Sequence, residues 1–302
     1  MSSQLYFMII NNDEYHNNLQ HENGFNILQG EFNYSTIKSS SKKPHFTKPK
    51  YIINYLDHRI YLHEVYLPID NLDFQLIGDP YGDNYRVNMI ILGKRRDLRD
   101  PETWDYMISV GVDIHTNNEY ALIWASKRGH LKMVKYLVKN GADTHANEYA
   151  LRLASECGYL ELVKYLVESG VNIHAYNDCA LRWASFYGHL KMVKYLVKNG
   201  TNIHANDDDA LISASKNGHL EVVKYLVENG ANIHAKDDCA LRGASQYGHL
   251  EVVKYLIDSG ADIHSKNNYA LRYASENGHL LIVKYLIENG ANVHVKNDCT
   301  LI

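Results

Sequence analysis

Histidine is the residue that first invites a chemical reading of this chain. Seventeen occur in 302 residues, and most fall at two recurring positions. One set is His115, His145, His174, His204, His234, His264 and His294. The other follows a glycine, at His130, His189, His219, His249 and His279. A zinc ion needs several ligands converging within about 2 Å of it. Residues that recur once per stacked helix pair stand about 10 Å apart. Neighbours within a set therefore cannot share a metal. The spacing assigns both sets to hydrogen bonding in the turns between repeats, with imidazole titration near about pH 6.5 as a further property. No metal and no cofactor are expected.

Catalysis finds little more support. Cys157 lies near Tyr159, where other repeats carry histidine, and no acid–base pair recurs beside a cysteine. Asp207-Asp208-Asp209 could attract a cation, but an acidic helix start is the simpler account. No glycine-rich phosphate loop follows a strand. Cys179, Cys239 and Cys299 share one repeat position, two repeats apart. Roughly 20 Å between them is too far for a disulfide, so a reducing, intracellular setting such as the cytoplasm is expected. Net charge is −4, from 31 basic and 35 acidic residues. That gives no pull toward nucleic acid or an acidic membrane surface. No apolar run suits a membrane-spanning helix or a secretory signal.

The elements that would position these residues come from a repeat. The stretch Gly218 to His234, GHLEVVKYLVENGANIH, recurs with small changes from Gly129 almost to the C-terminus. Its closing glycine stands at Gly111, Gly141, Gly170, Gly200, Gly230, Gly260 and Gly290, at intervals of 29 or 30 residues. Such a period marks a stacked array. Each unit reads as two helices. The first, Ala240 to Ser245, is short and starts at Asp237 or Asp238 as N-cap, with Ala240, Leu241 and Ala244 on its core face. The second carries Leu250, Val253, Leu256 and Ile257 inward and Lys254 outward. Asp100-Pro101 opens an outer helix with no inner mate, a half-repeat that caps the array.

The run Ala-x-x-Gly-His-Leu-Glu-Val-Val-Lys-Tyr-Leu-x-x-x-Gly-Ala-x-Ile, six times in register, resembles the ankyrin repeat over about residues 101–302. Two departures stand out. The family's Thr-Pro-Leu-His opening is replaced by residue-Ala-Leu-Arg, as in Cys179 to Arg182, and the period is shorter than the family's. The missing residues fall in the β-turn finger. Short, His-bearing repeats after a non-repeating region resemble the ankyrin proteins of giant amoeba viruses. The resemblance implies a mainly α architecture: an ankyrin-type solenoid of six full helix pairs with an N-terminal capping half-repeat. It implies a non-enzymatic scaffold that holds a protein partner, such as a host protein, on its concave face. A monomer is the expected state.

Residues 1–100 lack the repeat and read as a small, β-rich α+β domain. Leu5–Ile10, Arg59–Leu67 and Tyr85–Leu92 read as strands, Ser35–Lys50 as a loop, and Tyr51–Leu56 as helix or strand. Asp79 to Asp83 suits the turn of a hairpin between Asp73–Ile77 and Tyr85–Leu92. Two alternatives would put an activity here. Leu67 to Ile77 resembles the opening of an F-box, which would make the chain a ubiquitin-ligase adaptor, although a strand-like run follows. His45-Phe46-Thr47, Tyr51 and the strand ending Glu64 to Pro68 are similar in order to part of an ADP-ribosyltransferase.

Within each inner helix three positions vary, at i, i+3 and i+4, which share one stripe. The stripe includes Ser213, Lys216 and Asn217, and from it the expected partner site takes Trp124, Lys127 and Arg128, then Trp183, Phe186 and Tyr187, then Tyr247 and Tyr273. Its centre is expected at Trp183, Phe186 and Tyr187, because exposed Trp and Tyr dominate binding energy at interfaces.

Overall fold

The computed structural model describes residues 5–10, 15–16, 19–20, 24–27, 46–56, 59–78 and 84–293. Of the loop expected over 35–50, residues 35–45 lie outside the described residues, as do the turn at 79–83, His294 and the start of a seventh inner helix at Cys299. Phe46–Thr47 is a strand and Pro49–Lys50 begin a 3-10 helix instead of loop. The chain divides into two compact units, Met1–Ala146 and Asn147–Ile302.

The first unit is built on nine short strands: β1 (Tyr6–Ile10), β2 (Tyr15–His16), β3 (Leu19–Gln20), β4 (Gly24–Ile27), β5 (Phe46–Thr47), β6 (Tyr61–Tyr66), β7 (Leu76–Gly78), β8 (Asn84–Val87) and β9 (Met89–Asp97). Seven form one sheet in the order β4-β9-β6-β1-β5-β8-β7, with every pairing antiparallel. The expected hairpin is present, with Leu76 opposite Val87 and Gly78 opposite Tyr85. Tyr51 to Leu56 resolves as the end of a 3-10 helix, Pro49–Tyr55, that buries Ile52 and Ile53.

Successive strand residues point to opposite faces. Tyr6, Met8, Ile10, Phe46, Val65, Ile90 and Leu92 build one apolar core. Phe7 belongs to the other face and meets Tyr106 of helix α1 (Pro101–Ser109), ring centroids 6.0 Å apart. Trp104 on α1 is fully buried and donates its indole N–H to the Leu98 carbonyl at 2.7 Å. The half-repeat is thereby fixed to the end of the sheet.

Six helix pairs follow: α2 (Thr116–Lys127) with α3 (Leu131–Lys139), α4 (Thr144–Glu156) with α5 (Leu160–Glu168), α6 (Ala175–Phe186) with α7 (Leu190–Lys198), α8 (Ala205–Lys216) with α9 (Leu220–Glu228), α10 (Ala235–Gln246) with α11 (Leu250–Asp258), and α12 (Ser265–Glu276) with α13 (Leu280–Glu288). In the second unit inner helices pack on inner and outer on outer, α6 on α8 on α10 on α12 and α7 on α9 on α11 on α13. Ala240, Leu241 and Ala244 are buried as expected. On the outer helix Val252, Val253 and Leu256 are the buried residues, while Leu250 and Ile257 are only half-covered.

Both helices of a pair stop in the same way. Gly218 is left-handed (φ 75°), and the next amide, His219 N–H, reaches back to the Ala214 carbonyl at 3.0 Å. After the outer helix, Gly230 (φ 97°) lets Ala231 N–H reach the Leu226 carbonyl at 2.9 Å. These six-to-one bonds close the last turn of each helix.

The turn between pairs departs from expectation. The residue at the N-cap is His204 or His234, which makes no side-chain cap hydrogen bond, and the acids follow it. Instead three consecutive residues are left-handed: 117–119, 176–178, 206–208, 236–238 and 266–268, all with φ between 50° and 62°. An L-residue held there costs about 1–2 kcal/mol, with Asn and Asp the usual exceptions. The sequence answers with Asn or Asp at nearly all second and third positions, such as Asn177-Asp178 and Asp207-Asp208. This single left-handed turn stands where the missing finger residues would be.

Candidate functional site

The histidines prove to be the stitching of the array. In the second unit His174, His204 and His234 each donate Nδ1–H to a carboxylate four residues on, Asp178, Asp208 and Asp238, at 2.9, 3.0 and 3.0 Å. A carboxylate only accepts, which fixes the proton on Nδ1. Each acid is buried, and the same oxygen accepts a backbone N–H from the next repeat: Asn202 to Asp178 at 3.0 Å, Asn232 to Asp208 at 2.8 Å and Asp262 to Asp238 at 2.9 Å. His264 and Asn268 repeat the arrangement with an amide. In the first unit His115, Glu119 and Asp143 do the same.

The glycine-linked histidines close the other end of the inner helix. Nε2 of His189, His219, His249 and His279 lies 2.9 Å from the carbonyl oxygens of Glu156, Phe186, Lys216 and Gln246, one repeat back. Each ring lies flat against the preceding repeat's glycine; a Cβ on Gly188 would stand 2.5 Å from His219 Nδ1. Apart from His130, whose Nε2 finds no partner among the described residues, the paired members of both sets serve the turns, as their spacing required. Among the described residues no three His, Cys, Asp or Glu converge on a metal-sized point.

The acidic triplet divides three ways. Asp208 closes its turn, Asp209 pairs with Arg182 at 3.2 Å, and Asp207 stands 3.8 Å from Lys236. The helix-start explanation is corrected for Asp207 and Asp208, which are left-handed turn residues, while Asp209 follows them inside α8. Cys157, Cys179 and Cys239 form no disulfide, and burial pushes the Cys179 pKa up, away from a reactive thiolate.

With the ends of the inner helices fixed in this way, their variable stripe becomes a defined surface. In the second unit Trp183, Phe186 and Tyr187 form one aromatic cluster. Centroids are 5.6 Å apart for Trp183–Phe186, 6.0 Å for Trp183–Tyr187 and 4.9 Å for Phe186–Tyr187. Phe186 is 38% exposed and Tyr187 44%, which leaves both rings free to be covered by something else. Trp183 is half-buried beneath them, with the Arg152 guanidinium 5.5 Å from its ring and Arg152 itself held by Glu156 at 3.1 Å. Tyr247 is 57% exposed. Tyr273 is half-buried and stacked on Tyr269, centroids 4.0 Å apart.

One expected site residue is not on a surface. Trp124 is buried in the first unit, 6.2 Å from Trp104 and 5.1 Å from the His130 ring. It is a core residue, because the half-repeat brings a second tryptophan against it. Lys127 and Arg128, at the end of α2, are exposed and half-buried. Burial, followed by the charges of Arg99 and Arg128, lowers the pKa of His130.

The sheet holds a second polar group that spacing did not single out. Glu64 accepts from Tyr66 OH at 2.8 Å and Arg96 Nη2 at 2.9 Å, and Arg96 lies 3.6 Å from the Tyr106 ring. Burial alone would raise the Glu64 pKa, but hydrogen bonds from Tyr106, Arg96 and Tyr66 bring it below the ordinary value. Burial and then Glu64 push Tyr106 up to about 12. The carboxylate is consumed in joining sheet to helix. Leu67 to Ile77, compared above with an F-box, forms turns and the start of β7 in place of helices.

Comparison with known proteins follows the same lines. A family model described as Ankyrin repeats (3 copies) matches residues 96–177, 174–237 and 236–297. The chain is similar to an ankyrin repeat protein of Acanthamoeba polyphaga mimivirus, 49% identical over 141 residues, 46% of this chain and 69% of that relative. An uncharacterized protein of the same virus is 45% identical over 139 residues, 46% of this chain and 100% of the relative. Another ankyrin repeat protein of that virus is 39% identical over 137 residues, 45% of this chain and 41% of the relative.

Proposed function

The chain belongs to the ankyrin-repeat family, and we propose that it is a non-catalytic scaffold holding a protein partner, such as a host-cell protein, on the inner-helix face of its repeats. The observation that carries this reading is the cluster of Trp183, Phe186 and Tyr187, two of whose rings are open to solvent. Rigid aromatic area at the centre of a surface is where binding energy concentrates.

A photoreactive residue at position 187 of the full chain, expressed in host amoebae, tests this. A protein adduct from position 187 and none from position 254, on the outer helix, is the expected result. The same adduct from both positions, or none from 187, would overturn it. With the adduct identified, Tyr187→Ala should weaken its binding by about 2 kcal/mol in calorimetric titration.

Residues 1–100 are assigned a structural or docking role, with the array proper over 101–302. Strand β9 ends at Asp97 and α1 begins at Pro101, which supports a boundary there. The occupation of Glu64 by Arg96 and Tyr66 favours structure over catalysis at that carboxylate.

A further inference from the structure

The inner-helix position held by Trp124, Leu153, Trp183, Ser213 and Tyr273 is Gly243 in α10. A glycine inside a helix costs about 1 kcal/mol relative to alanine, and no left-handed backbone requires one here. What Gly243 provides is room. A Cβ there would overlap Cγ of Lys216 and stand 3.4 and 3.2 Å from its Cδ and Cε. The lysine stem from α8 lies down across the glycine of α10.

The ammonium group that this stem carries makes no hydrogen bond or ion pair with any described residue. Two carboxylates on neighbouring inner helices are already taken, Glu156 by Arg152 and Asp209 by Arg182. Aromatic rings flank Lys216 along the stripe. Phe186 and Tyr187 end the preceding inner helix, and Tyr247 follows the next one. His219 and His249 fix this register through the Phe186 and Lys216 carbonyls, each at 2.9 Å.

Resting on the inner-helix reading above, we propose that Lys216 sets the specificity of this surface by pairing with an aspartate or glutamate of an extended partner segment. Phe186 and Tyr187 take an apolar residue on one side of that acid, and Tyr247 takes one on the other. Neighbouring inner helices lie about 10 Å apart and an extended chain advances about 3.3 Å per residue. The apolar anchors therefore fall about three residues to either side of the acid. A pre-laid lysine stem gives up little side-chain freedom on pairing, and half-burial strengthens the charge-assisted bond relative to open water.

Random-peptide display against the full chain is the test, with the selected peptides resynthesised for affinity measurement. Wild type should enrich peptides with an acid between two apolar residues at that spacing. Lys216→Met, which removes the charge alone, should weaken those peptides about tenfold, the scale of one charge-assisted hydrogen bond. Lys216→Glu should select basic residues in place of acids, and Gly243→Ala, which lifts the stem, should weaken the acidic peptides as well. Identical peptides from wild type and Lys216→Glu, or wild-type peptides without acids, would overturn the proposal. Tyr187→Ala separates the two readings. If it abolishes selection while the lysine variants change nothing, the surface stands and the role of Lys216 falls. If no variant changes the selection, both fall.

Discussion

Nε2 of His219 lies 2.9 Å from the carbonyl oxygen of Phe186, so the histidine that starts one outer helix holds the end of the preceding inner helix. The aromatic ring offered to a partner thus hangs from a backbone fixed by the next repeat. Phe186 and Lys216 are set in the same way, one repeat apart.

His219→Phe keeps a ring against Gly188 but cannot donate to that carbonyl. It should lower the stability of the array by about 1 kcal/mol in urea unfolding. A midpoint equal to wild type would mean that the bond contributes nothing net.

Asp208 accepts from both His204 and Asn232, and is buried. Asp208→Ala leaves two donors unpaired and should cost about 1–3 kcal/mol. Asp208→Asn should cost less, because Asn268 fills the equivalent place two repeats later. Amide exchange at Asn232 is the direct reading: it should accelerate strongly in the alanine variant and weakly in the asparagine one.

Ala184 is fully buried where α6 meets its neighbours. Ala184→Leu should cost about 1–3 kcal/mol by overpacking and loosen the repeats on both sides. Unchanged thermal unfolding would refute close packing at that residue.

His63 in β6 is buried, and burial lowers its pKa against the opposing pull of a backbone hydrogen bond at Gly93. A folded-state pKa below the unfolded value means that the unfolded chain takes up the proton first as pH falls. Stability of the first unit should therefore decline as pH drops through about 6.5 and level off below the folded-state pKa. His130 acts in the same direction. The slope is at most about 1.4 kcal/mol per pH unit for each histidine, and His63→Leu should remove one share of it. A stability curve identical for His63→Leu and wild type would show that His63 titrates alike in both states.

Period and alternation carried most of the architecture in the sequence. Six helix pairs, the half-repeat at Pro101 and the exposed rings of Phe186 and Tyr187 follow from local pattern, because each repeat solves the same packing problem with near neighbours. The turns were not legible. Asp207-Asp208 looks like a helix start because the same residues favour N-caps and left-handed backbone, and spacing cannot separate the two. Trp124 was misplaced because its stripe position says nothing of Trp104, which covers it from the half-repeat. The order of the seven-stranded sheet joins strands as distant as β1 and β6, which no local pattern records. Lys216 stands on the same stripe, but its role was not legible, since its meaning depends on a missing side chain at Gly243, in another helix.

The left-handed turn also bears on how such a chain can change length. Asp178 bonds the amide at Asn202, Asp208 that at Asn232 and Asp238 that at Asp262, always 24 residues ahead. His189, His219, His249 and His279 each reach 33 residues back. Each bond in these two sets is thus a copy of the one before it, displaced by a whole unit. Duplicating or excising one unit regenerates the same partners at the same offsets and creates no new kind of junction. A gain or loss of one residue inside a turn shifts the offsets only locally, as the 29-residue interval between Gly141 and Gly170 does. The array is therefore open to recombination in whole repeats, so its reading surface can be lengthened, shortened or reshuffled without redesigning the joints.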